Sequence, residues 1–204
     1  MTAEDAETFA RCMTVGGVAV FPADTVYGLA CEPGSETAVR RLYALKGRPP
    51  GKPAAVMFFA RDLALEALPE LGPRTRGALE RLLPGPVTVL VPNPRRRFGP
   101  ACGSDPGSLG LRVPALVGPL APLGAVAWPV LQSSANRAGE PEARVLGAVP
   151  QSIRDGADLV LDGGELPGTA SSVVDLRAYE NAGEWAVVRA GALDPGALAS
   201  LLDA

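Results

Sequence analysis

Two lysines and an arginine fall within seven residues, Lys46-Gly47-Arg48-Pro49-Pro50-Gly51-Lys52, in a chain whose 19 basic residues are otherwise all arginine. Lysine brings a compact charge with three donors, arginine a flat fork that grips two oxygens at once, and phosphate sites often use one of each. The glycines and prolines around them keep the backbone out of helix and strand, so the stretch reads as a stiffened loop presenting cations to an anion. The same residues also fit a solvated basic loop after a helix, with Gly47 as its C-terminal stop and Lys46 complementing the helix dipole. Neutral donors gather in Ser133-Ser134-Ala135-Asn136, at the end of a predicted strand, where ligands sit in α/β sheets. A Ser/Asn turn or helix cap is the alternative there. Arg112 is an ionisable residue inside the otherwise apolar Leu109–Val113.

What the chain lacks narrows the chemistry further. It contains no histidine, which removes Ser-His-Asp and Cys-His catalysis, His-ligated zinc and the usual neutral-pH general base. The three cysteines, Cys12, Cys31 and Cys102, are odd in number and outside any Cys-x-x-Cys spacing, so they read as buried or idle thiols. Catalysis must therefore use Lys, Arg, carboxylates, hydroxyls, backbone amides or a metal ion that a substrate brings. A net charge of −3 excludes a protein that coats nucleic acid non-specifically, though a local basic cleft remains open. No apolar run is long enough to span a membrane, and the acidic start of the chain is unlike a signal or transit peptide, so the expected location is the cytoplasm.

The elements that must position these groups alternate between strand and helix. A helix is expected over Thr2–Thr14, with Thr2 and Asp5 in capping-box spacing, then strands at Val18–Phe21 and Val26–Cys31. Ser35 caps a helix that ends at Gly47, and the apolar run Ala54–Phe59 is a strand. Helices follow over Asp62–Leu68 and Pro73–Leu83. Further strands are expected at Val87–Val91, Leu109–Val113, Val130–Gln132, Asp158–Leu161, Ser171–Asp175 and Trp185–Val188. Asp194 opens a last helix to Leu202. A long loop over Pro92–Gly107 carries Arg95-Arg96-Arg97, read as a solvated charge run. This alternation is the mark of an α/β fold, and 204 residues without a linker or repeat make one domain, 1–204.

Taken together, several segments resemble one family, the YrdC-like threonylcarbamoyl-AMP synthases. They are Phe21-Pro22-Ala23-Asp24-Thr25-Val26-Tyr27-Gly28-Leu29, Lys46-x-Arg48-Pro49 with Lys52-Pro53, and Pro84-Gly85-Pro86-Val87-Thr88. Gly110-Leu111-Arg112-Val113-Pro114, Ser133-Ser134-Ala135-Asn136, Ser171-Ser172-Val173-Val174-Asp175 and Arg189-Ala190-Gly191 complete the set. The resemblance implies the single-domain form of that fold, a strongly twisted mixed β-sheet with helices packed on its faces and a cationic concave surface. It also implies an enzyme that makes threonylcarbamoyl-AMP and pyrophosphate from L-threonine, bicarbonate and ATP, for threonylcarbamoyladenosine in tRNA. By resemblance, Lys46, Arg48, Ser134 and Asn136 surround the phosphates as the catalytic set. Lys52 and Arg189 are further ATP contacts, and Thr25, Arg112, Ser133 and Ser171 contact threonine, with Arg112 on its carboxylate.

Mg²⁺ is expected to arrive on ATP, with no metal site in the protein itself. Expected partners are a downstream transferase that passes the product to tRNA and, more weakly, tRNA. The chain departs from the family pattern at Ala23, at Ser172 and at Met57, which stands where many members carry a threonine-contacting histidine. Two other readings compete: an RNA-binding module of the same fold, and a sister enzyme with a different amino acid or carbamoyl acceptor.

Overall fold

The computed structural model describes residues 1–203 and contains one nine-stranded mixed sheet. In chain order its elements are α1 (Ala3–Thr14), β1 (Val18–Pro22), β2 (Tyr27–Cys31), α2 (Glu36–Lys46), β3 (Ala55–Met57), α3 (Arg61–Ala67), α4 (Pro73–Leu82), β4 (Val87–Pro92), α5 (Gly99–Cys102), β5 (Ser108–Arg112), β6 (Val130–Ser134), α6 (Gln151–Gly156), β7 (Leu159–Val160), β8 (Ser172–Asp175), α7 (Tyr179–Ala182), β9 (Ala186–Arg189) and α8 (Pro195–Leu202). The strands lie in the order β7-β1-β2-β6-β3-β5-β4-β8-β9. Pairs β1/β7, β3/β5 and β4/β8 are parallel and the rest antiparallel. The fold is thus α/β, with the mixed sheet and flanking helices that the sequence implies.

Local chemistry accounts for the element ends. Thr2 and Asp5 close a reciprocal capping box on α1. Ser35 caps α2, and Gly47 ends it at φ 62°, a left-handed conformation that glycine adopts without cost. The pattern leaves several short elements unread: α5, α6, α7 and a 3₁₀ segment over Gly118–Ala125. Each is shorter than three turns, too short to show helical periodicity.

Strand alternation sends side chains to two separate cores. Val20, Leu29, Val56, Val89, Leu111 and Leu131 point to the face covered by α2 and α4. Ala19, Phe21, Ala30, Met57 and Val130 point to the other, beneath α1 and the 3₁₀ segment, where Phe9, Phe21 and Phe59 pack at centroid distances of 5.0–6.4 Å. This second cover spans only part of the sheet. Over β3, β5, β4 and β8 the same face is left open, and there the polar motifs collect.

Asp158 fastens three elements at the far edge. Its carboxylate accepts from Arg41 Nη1 and Nη2 on α2 at 2.6 and 2.9 Å and from the Val18 amide of β1 at 2.7 Å. Hydrogen bonds from Arg41 hold its pKa below the ordinary 3.8. Its stabilising contribution is therefore present above that value and lost as pH falls through the lower folded value. The side chain is 42% exposed, so solvent screening limits the effect to about 1 kcal/mol. Chemical denaturation of Asp158→Asn should show a loss of that size at pH 7, shrinking toward zero below pH 3.8.

Candidate active site

The open half of the face is a cleft of about 550 Å³. Strand register arranges its floor in rows. Val130, Met57, Arg112, Thr88, Val173 and Arg189 lie level across β6, β3, β5, β4, β8 and β9. Two residues along, Gln132, Ala55, Gly110 and Leu90 form the next row. Ser134 and Ser108 lie a further two residues on, beside the loop that carries Arg48 and Lys52.

Arg112 anchors the first row and is 3% exposed. Its Nη2 donates to Asp24 and to Thr25 Oγ1 at 2.6 Å, while Asp24 Oδ2 accepts the Ala115 amide at 3.0 Å. Burial pulls the guanidinium below its ordinary value, and Asp24 opposes that pull. Among the described residues, Arg112 Nε has no partner and is itself buried. Thr88 Oγ1 and Ser171 Oγ share a hydrogen bond of 2.9 Å, and Arg189 Nη2 donates to the Ser171 carbonyl at 2.7 Å. This end can take a carboxylate together with a hydroxyl or amine.

The other end is cationic. Arg48 lies 5.5 Å from the Tyr43 ring centroid and donates to the Pro53 carbonyl, and its Nε is also buried without a partner. Tyr43 in turn donates to the Lys52 carbonyl at 2.8 Å, leaving the exposed Lys52 ammonium at the rim. Gly103 makes this loop possible. At φ 60°, its missing Cβ would fall 2.4 Å from the Gly51 carbonyl oxygen, so only glycine lets the two loops touch. Gly191 has the same role beside Ser171, where a Cβ would fall 2.4 Å from the Ala170 oxygen.

Of the residues singled out by sequence, Arg48, Lys52, Arg112, Ser133, Ser134, Ser171 and Arg189 line the cleft. Thr25 sits behind it against Arg112. Lys46 and Asn136 are buried behind the wall. Lys46 Nζ donates to the Ser134 carbonyl, to the Asn136 carbonyl at 2.8 Å and to Asn136 Oδ1 at 3.2 Å. Asn136 Nδ2 closes onto the carbonyls of Arg137 and Glu140. Lys46 is thus neither a solvated helix-end cation nor a lining residue in this structure, and all its donors hold the turn that carries Ser134. The Arg95–Arg97 run also divides: Arg95 is exposed, whereas Arg97 pairs with Glu70 at 2.9 Å.

Sequence reasoning gave no role to Asp24, Thr88, Gln132 or the two clamping glycines, although Asp24, Thr88 and Gly191 fall inside the motifs that carry the resemblance. What each does depends on proximity to Arg112 or to a loop, and that proximity is tertiary. The departures are explained by packing. Ser172 accepts from the Leu193 amide and donates to its carbonyl, and Ala23 lies in the second core. Met57 is fully buried in the same apolar layer and does not line the cleft.

The comparisons place the chain in a family. The Sua5/YciO/YrdC model, described as "Telomere recombination", matches residues 11–191, and the chain belongs to that family. A threonylcarbamoyl-AMP synthase of Pseudomonas aeruginosa (strain UCBPP-PA14) is 39% identical over 166 residues, covering 78% of this chain and 84% of the relative. One of Xanthomonas euvesicatoria pv. vesicatoria (strain 85-10) is 34% identical over 163 residues, covering 78% and 86%. The crystal structure of P. abyssi Sua5 complexed with L-threonine superposes with a TM-score of 0.81 at 26% identity, covering 98% of this chain. This chain spans 58% of that longer one.

Two outcomes follow from the buried groups. Burial, then Arg48, pulls Lys46 from 10.5 to about 8. The folded state then releases a proton between those values that the unfolded chain still holds, so stability should rise with pH across that window. Denaturation of the wild type against Lys46→Met at pH 7.5 and 9.5 should show the difference moving in favour of the wild type; a flat difference means the three acceptors keep the ammonium charged. Met57→His places an imidazole among Phe59, Leu123, Val126 and Val130, and thermal melts should show a loss of about 1–3 kcal/mol.

Proposed function

We propose that this protein is a threonylcarbamoyl-AMP synthase acting on L-threonine, bicarbonate and ATP. One observation carries the reading. A single cleft joins one end floored by Arg112, Thr88, Ser171 and Arg189 to a cationic end with Arg48, Lys52 and Ser134. The named relatives support the same reaction, as does the L-threonine bound by the structural neighbour.

The threonine amine and bicarbonate combine to a carbamate with loss of water. A carbamate oxygen then forms a bond to the α-phosphorus of ATP as the bond from that phosphorus to the β-bridging oxygen breaks, and pyrophosphate leaves. In-line transfer of this kind needs alignment and charge neutralisation rather than a protein nucleophile, which suits a chain without histidine. Arg112 receives the threonine carboxylate, with Thr25, Ser133 and Ser171 around the rest of the amino acid. Arg48, Lys52 and Arg189 neutralise the phosphates, and Ser134 offers a neutral donor beside them. Lys46 and Asn136 act on the same phosphates through the turn they hold.

Mg²⁺ enters as part of the nucleotide substrate. Asp105, which meets Arg177 at 3.5 Å, and Glu142 are the carboxylates that line the cleft, and in this reading oxygens of ATP and water supply most of the ion's shell. The product passes to a transferase that modifies tRNA, and the work is cytoplasmic. Among the described residues no helix is long and apolar enough to cross a membrane.

Pyrophosphate release should require threonine, bicarbonate and ATP together. Release that persists without threonine, or that another amino acid supports better, removes the assignment, and salt-sensitive RNA binding without release favours a binding module. Arg48→Lys keeps the charge but loses the fork and the stack on Tyr43. Steady-state kinetics should show kcat/KM for ATP down by at least tenfold.

A further inference from the structure

Thr88 and Ser171 form a hydroxyl pair at the Arg112 end of the cleft, with their oxygens 2.9 Å apart. Two hydroxyls carry two protons, and the bond between them uses one. Arg189 Nη2 approaches Ser171 Oγ as a donor at 3.4 Å, and among the described residues neither hydroxyl has a further partner. Whichever of the two donates, the pair keeps one O–H and a lone pair to offer. Both residues line the cleft, so this donor and acceptor belong to whatever enters it.

Strand register fixes where the pair lies. Thr88 stands directly across from Arg112 in the β4–β5 ladder, which sets their Cβ atoms about 5 Å apart on one sheet face. Val173 stands level with Thr88 on its other side. Ser171, two residues before Val173, is on the side of this row away from Gly110, Ser108 and the phosphate end. An amino acid that gives its carboxylate to Arg112 and turns its nitrogen toward the phosphates has the hydroxyl pair on the side its nitrogen leaves free. A Thr–Ser contact between strands can also serve the sheet alone, and the two roles differ in what they do to substrate choice.

We infer that Thr88 determines amino-acid specificity by holding the Ser171 hydroxyl toward the β-hydroxyl of the substrate, so that the pair answers that group as donor and acceptor. The inference rests on the reaction proposed above and adds the residue that separates threonine from valine, its isostere with a methyl group in place of the hydroxyl. Thr88 is a positioning residue here, since it acts through Ser171. Valine in the same place would bury the spare O–H without a partner. A site built to pair a substrate hydroxyl rejects the analogue that lacks it for that reason.

The test uses Thr88→Val, which keeps the shape and deletes Oγ1, and Thr88→Ser, which keeps the hydroxyl and drops the methyl group. Melting temperatures verify that each is folded, and Thr88→Cys, with a thiol that bonds weakly, serves if the valine variant is not. Pyrophosphate release is measured with threonine and with valine varied, at saturating ATP and bicarbonate. Thr88→Val should raise the threonine KM about tenfold, the loss of one hydrogen bond, with kcat and the KM for ATP within about twofold of wild type. The threonine-over-valine ratio of kcat/KM should fall by the same factor, and Thr88→Ser should keep both near wild type. A loss that falls equally on threonine and valine, or that Thr88→Ser shares, shows a packing role and overturns the inference while leaving the synthase intact. So does a wild type that uses valine as readily as threonine. Absence of bicarbonate-dependent release with any amino acid in the wild type overturns the proposed reaction and the inference together.

Discussion

The structure turns on a buried guanidinium. Arg112 and Asp24 are 3% and 5% exposed, and a charge taken that far from water is tolerated only when a partner is fixed beside it. The turn between β1 and β2 supplies that partner, and the Ala115 amide holds the carboxylate in place. Asp24 and Thr25 Oγ1 both engage Nη2 and so fix the plane of the guanidinium. The ion pair thus sets where a ligand carboxylate can bind as well as how the β1–β2 turn lies against β5. Removing either member would leave the other charge buried without compensation.

One sheet face carries both a core and a binding floor, and the boundary between them is a single row. Val130 and Met57 lie under the apolar layer, and Arg112 and Thr88 lie level with them in the cleft. A polar side chain at Met57 would be drawn into the apolar layer rather than the cleft, which is why a methionine serves there. The glycines act at the same scale. Gly28, Gly103 and Gly191 are each placed where a methyl group would collide with an amide or a neighbouring backbone. Their positions set the depth of the floor and the closeness of the loops that edge it.

Lys46 and Arg48 show how two cations one residue apart take different tasks. The helix α2 ends at Gly47, so its last side chain turns inward against the Ser134–Asn136 turn while the next one projects over Tyr43 toward the cleft. A lysine suits the inner position because three rotatable protons meet three oxygens around a point. An arginine suits the outer one because its plane stacks on a ring and keeps an edge free.

The sequence alone determined the α/β class, the order of the longer elements, their caps and the motifs that identify the family, because periodicity and capping are local properties of the chain. It also singled out seven residues that do line the cleft. The facing of Lys46 and Asn136, the burial of Met57 and the parts played by Asp24, Thr88, Gly103 and Gly191 were decided only in the tertiary structure. Sequence spacing says which residues share a strand face, but it does not say which strands lie side by side. Arg112 and Thr88 become neighbours through the β4–β5 register, and Ser171 reaches Thr88 because β8 lies beside β4. Short elements such as α5 exist because packing supplies what a single turn of helix cannot provide for itself.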